Sequence, residues 1–98
     1  MFIHSVYFWL KPGLTESEEE QFLVGIESLT RIRTVRYGWC GKPAGTDRPV
    51  IDRTYTYGLI VAFDDAAGHD LYQADPSHDA FRELKDLWTQ VRIYDVSS

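Results

Sequence analysis

The run Ile3 to Leu10 (Ile-His-Ser-Val-Tyr-Phe-Trp-Leu) is rich in β-branched and aromatic residues and halts at the turn signal Lys11-Pro12-Gly13, so it reads as a strand. Strand side chains alternate between two faces. His4, Val6, Phe8 and Leu10 therefore share one face, and Ile3, Ser5, Tyr7 and Trp9 share the other. Both faces are largely apolar, whereas an antiparallel strand with one wet face alternates more cleanly. Each face of this strand is expected to meet another layer.

Thr15 stands three residues before Glu18, the capping-box spacing, among acidic residues that favour a helix N-terminus. Phe22, Ile26 and Leu29 then fall on one stripe, which predicts an amphipathic helix running to about Leu29. Residues 35–41 read as a second strand, followed by a loop holding Pro43, Gly45 and Pro49. A third strand is expected over 54–63, with Tyr55, Tyr57, Leu59, Val61 and Phe63 on one face. Asp64-Asp65 can cap a short helix over 66–73, and Asp75-Pro76 is a favoured start for another. In that second helix Phe81, Leu84 and Trp88 space out the buried stripe, and residues 91–96 close the chain as a fourth strand. The order β-α-β-β-α-α-β is the split-βαβ pattern with one extra helix. The fold class expected is α+β, ferredoxin-like, a four-stranded antiparallel sheet with helices on one face.

Such a sheet leaves its other face to solvent or to a second chain, and here that face carries Tyr7, Trp9 and Ile60. Covering it with a second copy removes apolar area at about 25 cal/mol per Å2, so a homodimer joined through the sheet faces is expected. A net charge of -5, with 15 acidic against 10 basic residues and no Lys/Arg run, is the wrong sign for nucleic acid or an anionic membrane. The single Cys40 cannot form an internal disulfide and reads as a small strand residue. No signal-like start or membrane-length apolar run is visible, which makes the cytoplasm the expected location.

Four segments carry a resemblance: His4-x-Val6-x-Phe8; Tyr57 to Phe63 with Asp64-Asp65; Tyr72-Gln73-Ala74-Asp75-Pro76-Ser77-His78 leading to Phe81; and Ile93-Tyr94-Asp95. Together they resemble the stress-responsive A/B barrel domain (Dabb) family of the dimeric α+β barrels, over nearly the whole chain, so that residues 1–98 form one such domain. Members commonly have His-Pro-x-His where this chain has Asp75-Pro76-Ser77-His78, and those resembling the plant enzymes often have Lys in place of Trp9. One branch is similar to plant polyketide cyclases that close a linear polyketide by an aldol reaction with a His and a Tyr. The resemblance places that pair on His78 and Tyr72, with His4 nearby, aligns a further pocket His with Tyr57, and implies no cofactor.

The residues themselves support a pocket between sheet and helices, bounded by His4, Val6, Phe8, Tyr57, Leu59, Tyr72, His78 and Phe81. Tyr72 ends one helix and His78 begins the next, so both can turn toward the sheet across one loop. A Tyr hydroxyl beside a His can hold and polarise a carbonyl. His4, on an apolar face, reads as a hydrogen-bonded core residue, and His69 as an exposed one. A metal site from His4, His78 and Asp75 is allowed by residue type but has no diagnostic spacing, so no metal is expected. Three readings stay open: a small-molecule-binding dimer of unknown physiological role, which takes a small apolar or aromatic ligand; a cofactor-independent cyclase, lyase or oxygenase using His78 and Tyr72; and a structural or stress-associated dimer without a ligand.

Overall fold

A computed structural model describes residues 1–98. The elements are β1 (Phe2–Leu10), α1 (Glu16–Leu29), β2 (Tyr37–Gly41), β3 (Tyr57–Phe63), α2 (Ala66–Ala74), α3 (Pro76–Arg82), a 3-10 turn (Lys85–Leu87) and β4 (Trp88–Ser97). The four strands form one sheet in the order β2-β3-β1-β4, with every neighbouring pair antiparallel. This is the ferredoxin-like α+β arrangement expected from the element order.

Register fixes the two faces. Opposite β1, His4 pairs with Val61 and Asp95, Val6 with Leu59 and Ile93, and Phe8 with Tyr57 and Val91. That face is the one beneath the helices, where Phe22, Ile26 and Leu29 of α1, Tyr72 of α2 and Phe81 of α3 join Val6, Phe8, Tyr57, Leu59, Val61 and Phe63 in one buried core. The outer face of the sheet carries Tyr7, Trp9, Tyr37, Trp39, Ile60, Tyr94 and Val96, with Trp39 62% and Val96 60% exposed.

Helix starts follow the sequence signals. Thr15 and Glu18 form the reciprocal capping box on α1. Asp65 accepts from the Gly68 N–H to cap α2, and Asp75 accepts from the Ser77 N–H to cap α3 with Pro76 in its first turn.

Three expectations are corrected. The third helix does not run to Trp88: it ends at Arg82, and after the 3-10 turn Trp88 opens β4, stacked on Phe81 at 5.3 Å between ring centroids. Leu84 and Trp88 still pack on the core, so their helical spacing was a coincidence of two elements meeting one hydrophobic layer. The third strand starts at Tyr57 instead of Thr54, and the second at Tyr37 instead of Val35. Tyr55 therefore does not share the face of Tyr57. It packs against Tyr7 at 4.9 Å and Trp9 at 6.4 Å on the outer side, where the long β2–β3 loop is also held by the Trp9 indole N–H donating to Thr54.

The contact of α1 with β2 depends on Gly38, where an added Cβ would lie 2.9 Å from the Thr30 Cβ and 3.2 Å from its Cα. Backbone cannot yield as a side-chain tip does. Gly38→Ala is expected to destabilise by about 1–3 kcal/mol, the usual cost of overpacking. Gly45→Ala, with nothing within 4 Å of the new Cβ, is expected to stay within about 0.5 kcal/mol of the parent. Urea denaturation midpoints of the two variants check both values.

Candidate functional site

Between the sheet and the α2–α3 corner lies a cavity of about 210 Å3. Its apolar wall includes Val6, Phe8, Leu59 and Phe81, and it reaches the β4 edge of the sheet at Val91 and Ile93, which stay 43% and 51% exposed. His4, Tyr72 and His78 supply polar groups at one end, with Gln73 and Arg82 also on the lining. Tyr57 is not on it. Its ring lies 5.5 Å from that of Phe22 and its hydroxyl donates to Glu19 at 2.7 Å, so it packs in the core under the start of α1.

Two residues reach the cavity because the chain breaks between them. Pro76 has no N–H to continue α2, and Asp75 stays extended (φ -68°, ψ 141°) while its side chain caps α3. The corner brings the last turn of α2 and the first turn of α3 together, and the Tyr72 and His78 rings meet edge to face at 5.0 Å. The Asp75 carboxylate is engaged in that cap, and the metal trio of His4, His78 and Asp75 is not assembled.

All three histidines of the chain gather here. His4, 4% exposed, has Nδ1 at 2.6 Å from Asp95 Oδ1, across the β1–β4 pairing. His69 is not the exposed helix residue expected. It is half-buried, stacked on Phe2 at 4.5 Å, tilted against His4 at 4.6 Å and held by the Gln73 side chain at 3.1 Å from Nε2. Its neighbour Asp70 does face solvent; one residue of rotation around α2 separates the two.

The polar groups differ in how they are satisfied. His78 Nδ1 is buried with no hydrogen-bond partner. Burial, followed by the nearby Arg82 and His4, pushes the His78 imidazole below its ordinary value. Burial alone, with no hydrogen bond, pushes the Tyr72 phenol up. Tyr57 is also raised, to about 12, by burial and then by its hydrogen bond to Glu19. At neutral pH the site thus holds a protonated phenol beside a neutral imidazole, a hydrogen-bond donor next to a base.

The lowered value of His78 has a consequence for stability. As pH falls through about 6.5, the unfolded chain takes up a proton at His78 that the folded chain refuses, so stability present above that pH is lost on further acidification through the folded value. Denaturation midpoints are expected to fall between pH 7.5 and pH 5, and His78→Gln to show a shallower fall over the same range. Proton NMR of the His78 ring is expected to titrate below 6.5.

No protein of curated function is significantly similar to the chain in sequence. Among solved structures, a ferredoxin-like protein of the Dabb family from Mesorhizobium loti is 28% identical, with 99% of this chain and 95% of that one covered at a TM-score of 0.77. A dimeric ferredoxin-like protein of unknown function from Thermobifida fusca is 17% identical, covering 99% and 90% at a TM-score of 0.78. A hydroxynitrile lyase from Passiflora edulis is 16% identical, covering 97% and 90% at 0.77. The family model for the stress responsive A/B barrel domain matches residues 2–98, and the chain belongs to that family, Dabb.

Proposed function

We propose that the chain acts as a homodimer whose subunits each hold a small carbonyl or hydroxyl compound in the cavity beside Tyr72 and His78, and that this pair performs acid/base work on it. The observation that carries the reading is the pairing of an unbonded Tyr72 hydroxyl with a His78 Nδ1 that is buried and unpartnered, at the polar end of a largely apolar cavity. Structural polar groups in a core are normally satisfied by protein or water. At about 210 Å3 the cavity falls below the roughly 300 Å3 at which drug-sized sites begin, which favours a ring-sized or short-chain molecule.

The chemistry follows from the two protonation states. The Tyr72 O–H donates to the carbonyl oxygen, and the neutral His78 imidazole accepts a proton from the adjacent carbon; the electron pair left behind moves onto the oxygen that Tyr72 holds. The same two groups in reverse return the proton. An aldol cyclisation begins with this exchange, whereas cleavage of a hydroxynitrile would use the same pair differently: the base takes the hydroxyl proton as the C–CN bond breaks and the carbonyl forms, and returns it to the leaving cyanide; a hydroxynitrile lyase from Passiflora edulis has a similar fold. Fold likeness leaves the substrate open, because one architecture hosts many chemistries.

Dimerisation follows from the outer face. Seven large apolar side chains there have no helix over them, a patch that monomers rarely expose. The Thermobifida fusca protein of similar fold is dimeric, and pairing the sheets face to face buries this surface. Light scattering is expected to give twice the 11.3 kDa chain mass at micromolar concentration. Trp39→Glu, placing a charge on that face, is expected to shift the mass toward the monomer; a parent that stays monomeric overturns the dimer.

For the pocket, NMR titration with small aromatic and branched aldehydes and ketones is expected to move resonances of Tyr72, His78 and Phe81 together. Tyr72→Phe should weaken the best binder at least tenfold, about 1.4 kcal/mol, and His78→Ala should abolish exchange of the proton next to its carbonyl while the fold is kept. If no compound of this class perturbs the cavity, the dimer stands as a scaffold without a ligand.

A further inference from the structure

We propose that His4, His69 and Asp95 form a binding site for a divalent transition-metal ion, with Zn2+ as the natural probe. One ligand nitrogen of each ring and a carboxylate oxygen of Asp95 lie within 4.8 Å of one another, although the residues come from β1, α2 and β4. Metal bonds of about 2.0–2.2 Å in a tetrahedral site separate ligand atoms by roughly 3.3–3.6 Å. An ion bound through His4 Nδ1 replaces the proton shared with Asp95 Oδ1 at 2.6 Å, so that pair opens by about an ångström while the other separations close by up to about 1.5 Å, and Asp95, 41% exposed on the edge strand, has room to move.

The arrangement around the cluster suits a ligand set. His4 is nearly buried and its ring is fixed by the sheet register, so it is a rigid anchor. His69 is oriented without bonding to either partner: Gln73 holds its Nε2 and Phe2 stacks on its ring. In this structure the Gln73 amide nitrogen donates to Nε2, which leaves the ring proton on Nδ1; turning the amide by a half-turn offers its Oε1 to an Nε2–H, frees the Nδ1 lone pair and gives the support a metal-bound histidine usually has. The His4 and His69 rings sit 4.6 Å apart with no hydrogen bond between them, so a proton on both would repel, whereas one shared cation suits both lone pairs and the carboxylate. Imidazole with a single carboxylate selects Zn2+ and its first-row neighbours over Mg2+ or Ca2+. Three protein ligands leave further positions open, and since His4 also lines the cavity, an ion there lies at its wall.

This inference goes beyond the acid/base reading and does not depend on it. The sequence spacing pointed away from any metal because the ligands are separated by 65 and 26 residues and meet only through the sheet and the α2 packing. The trio that folding assembles replaces Asp75 and His78 by Asp95 and His69.

The experiment is isothermal titration of the untagged, chelator-treated full chain with Zn2+ at pH 7.5, repeated with Co2+ to read its visible spectrum. The expected result is one ion per chain with a Kd below about 100 µM and Co2+ bands of a four- or five-coordinate site. His69→Gln and Asp95→Asn, both at half-buried or exposed positions that leave the core intact, are each expected to weaken binding at least tenfold. No saturable binding at one equivalent, or binding unchanged in both variants, overturns the site. No organic ligand is present in this titration, so its failure leaves the carbonyl pocket standing, and failure of the carbonyl titration leaves the metal site standing.

Discussion

The register of β1 is the constraint on which the rest of the molecule depends. It is a central strand, hydrogen-bonded on both sides, and its pairing sets His4 against Val61 and Asp95, Val6 against Leu59 and Ile93, and Phe8 against Tyr57 and Val91. A slip of one residue would drive Ser5 and Tyr7 under the helices and turn Val6 and Phe8 outward. The register that buries Val6 and Phe8 also buries His4, since all three share one face. An ionisable ring thereby enters the core at the end of the strand, and Asp95, directly across on β4, meets its Nδ1. Core and site are consequences of the same alternation.

The second determinant is local. An uninterrupted helix from residue 66 to 82 would carry Tyr72 and His78 six positions apart, about 9 Å along the axis and well separated around it. Pro76 and the Asp75 cap replace that helix by two short ones, and the rings come into contact. The corner is inexpensive because the residue at which one helix ends, Asp75, caps the next with its carboxylate. Loss of the Asp75 side chain would act on the site through the angle between α2 and α3, with no contact to the cavity itself.

These two determinants explain what was legible in the sequence. Strand alternation, the capping box at Thr15 and Glu18, and the Asp-Pro corner are short-range signals, and they gave the element order, the helix-covered face and the neighbourhood of Tyr72 and His78. Boundaries failed where tertiary contacts override local pattern. Trp88 has helical spacing from Phe81 and Leu84 but belongs to a strand, because Phe81 and Trp88 both touch Phe8 and Phe22 while Leu84 packs on the same core. Tyr55 keeps the period of β3 on paper but sits beyond its first ladder pair, where the loop swings it to the outer face. His69 and Asp95 could not be assigned from spacing at all. Their meeting with His4 needs the sheet order, which places the last strand beside the first, and a rotation of α2 that turns His69 inward.

Tyr57 and Tyr72 show how burial alone fails to mark a site. Both rings lie in the core, 3% and 1% exposed, and both phenols are raised by the loss of water. The Tyr57 hydroxyl has Glu19 as an acceptor at 2.7 Å, so its polarity is consumed within the fold. Tyr72 has no such acceptor, and its neighbour His78 leaves a buried ring nitrogen unbonded. An unsatisfied buried group costs about 1–3 kcal/mol, a substantial fraction of the roughly 5–15 kcal/mol by which domains of this kind are stable. A core under no other demand would have satisfied the His78 Nδ1 as it satisfied Tyr57, or replaced the ring with an apolar side chain of the same size. That difference between two similarly buried tyrosines is what favours Tyr72 over Tyr57 for the role proposed above.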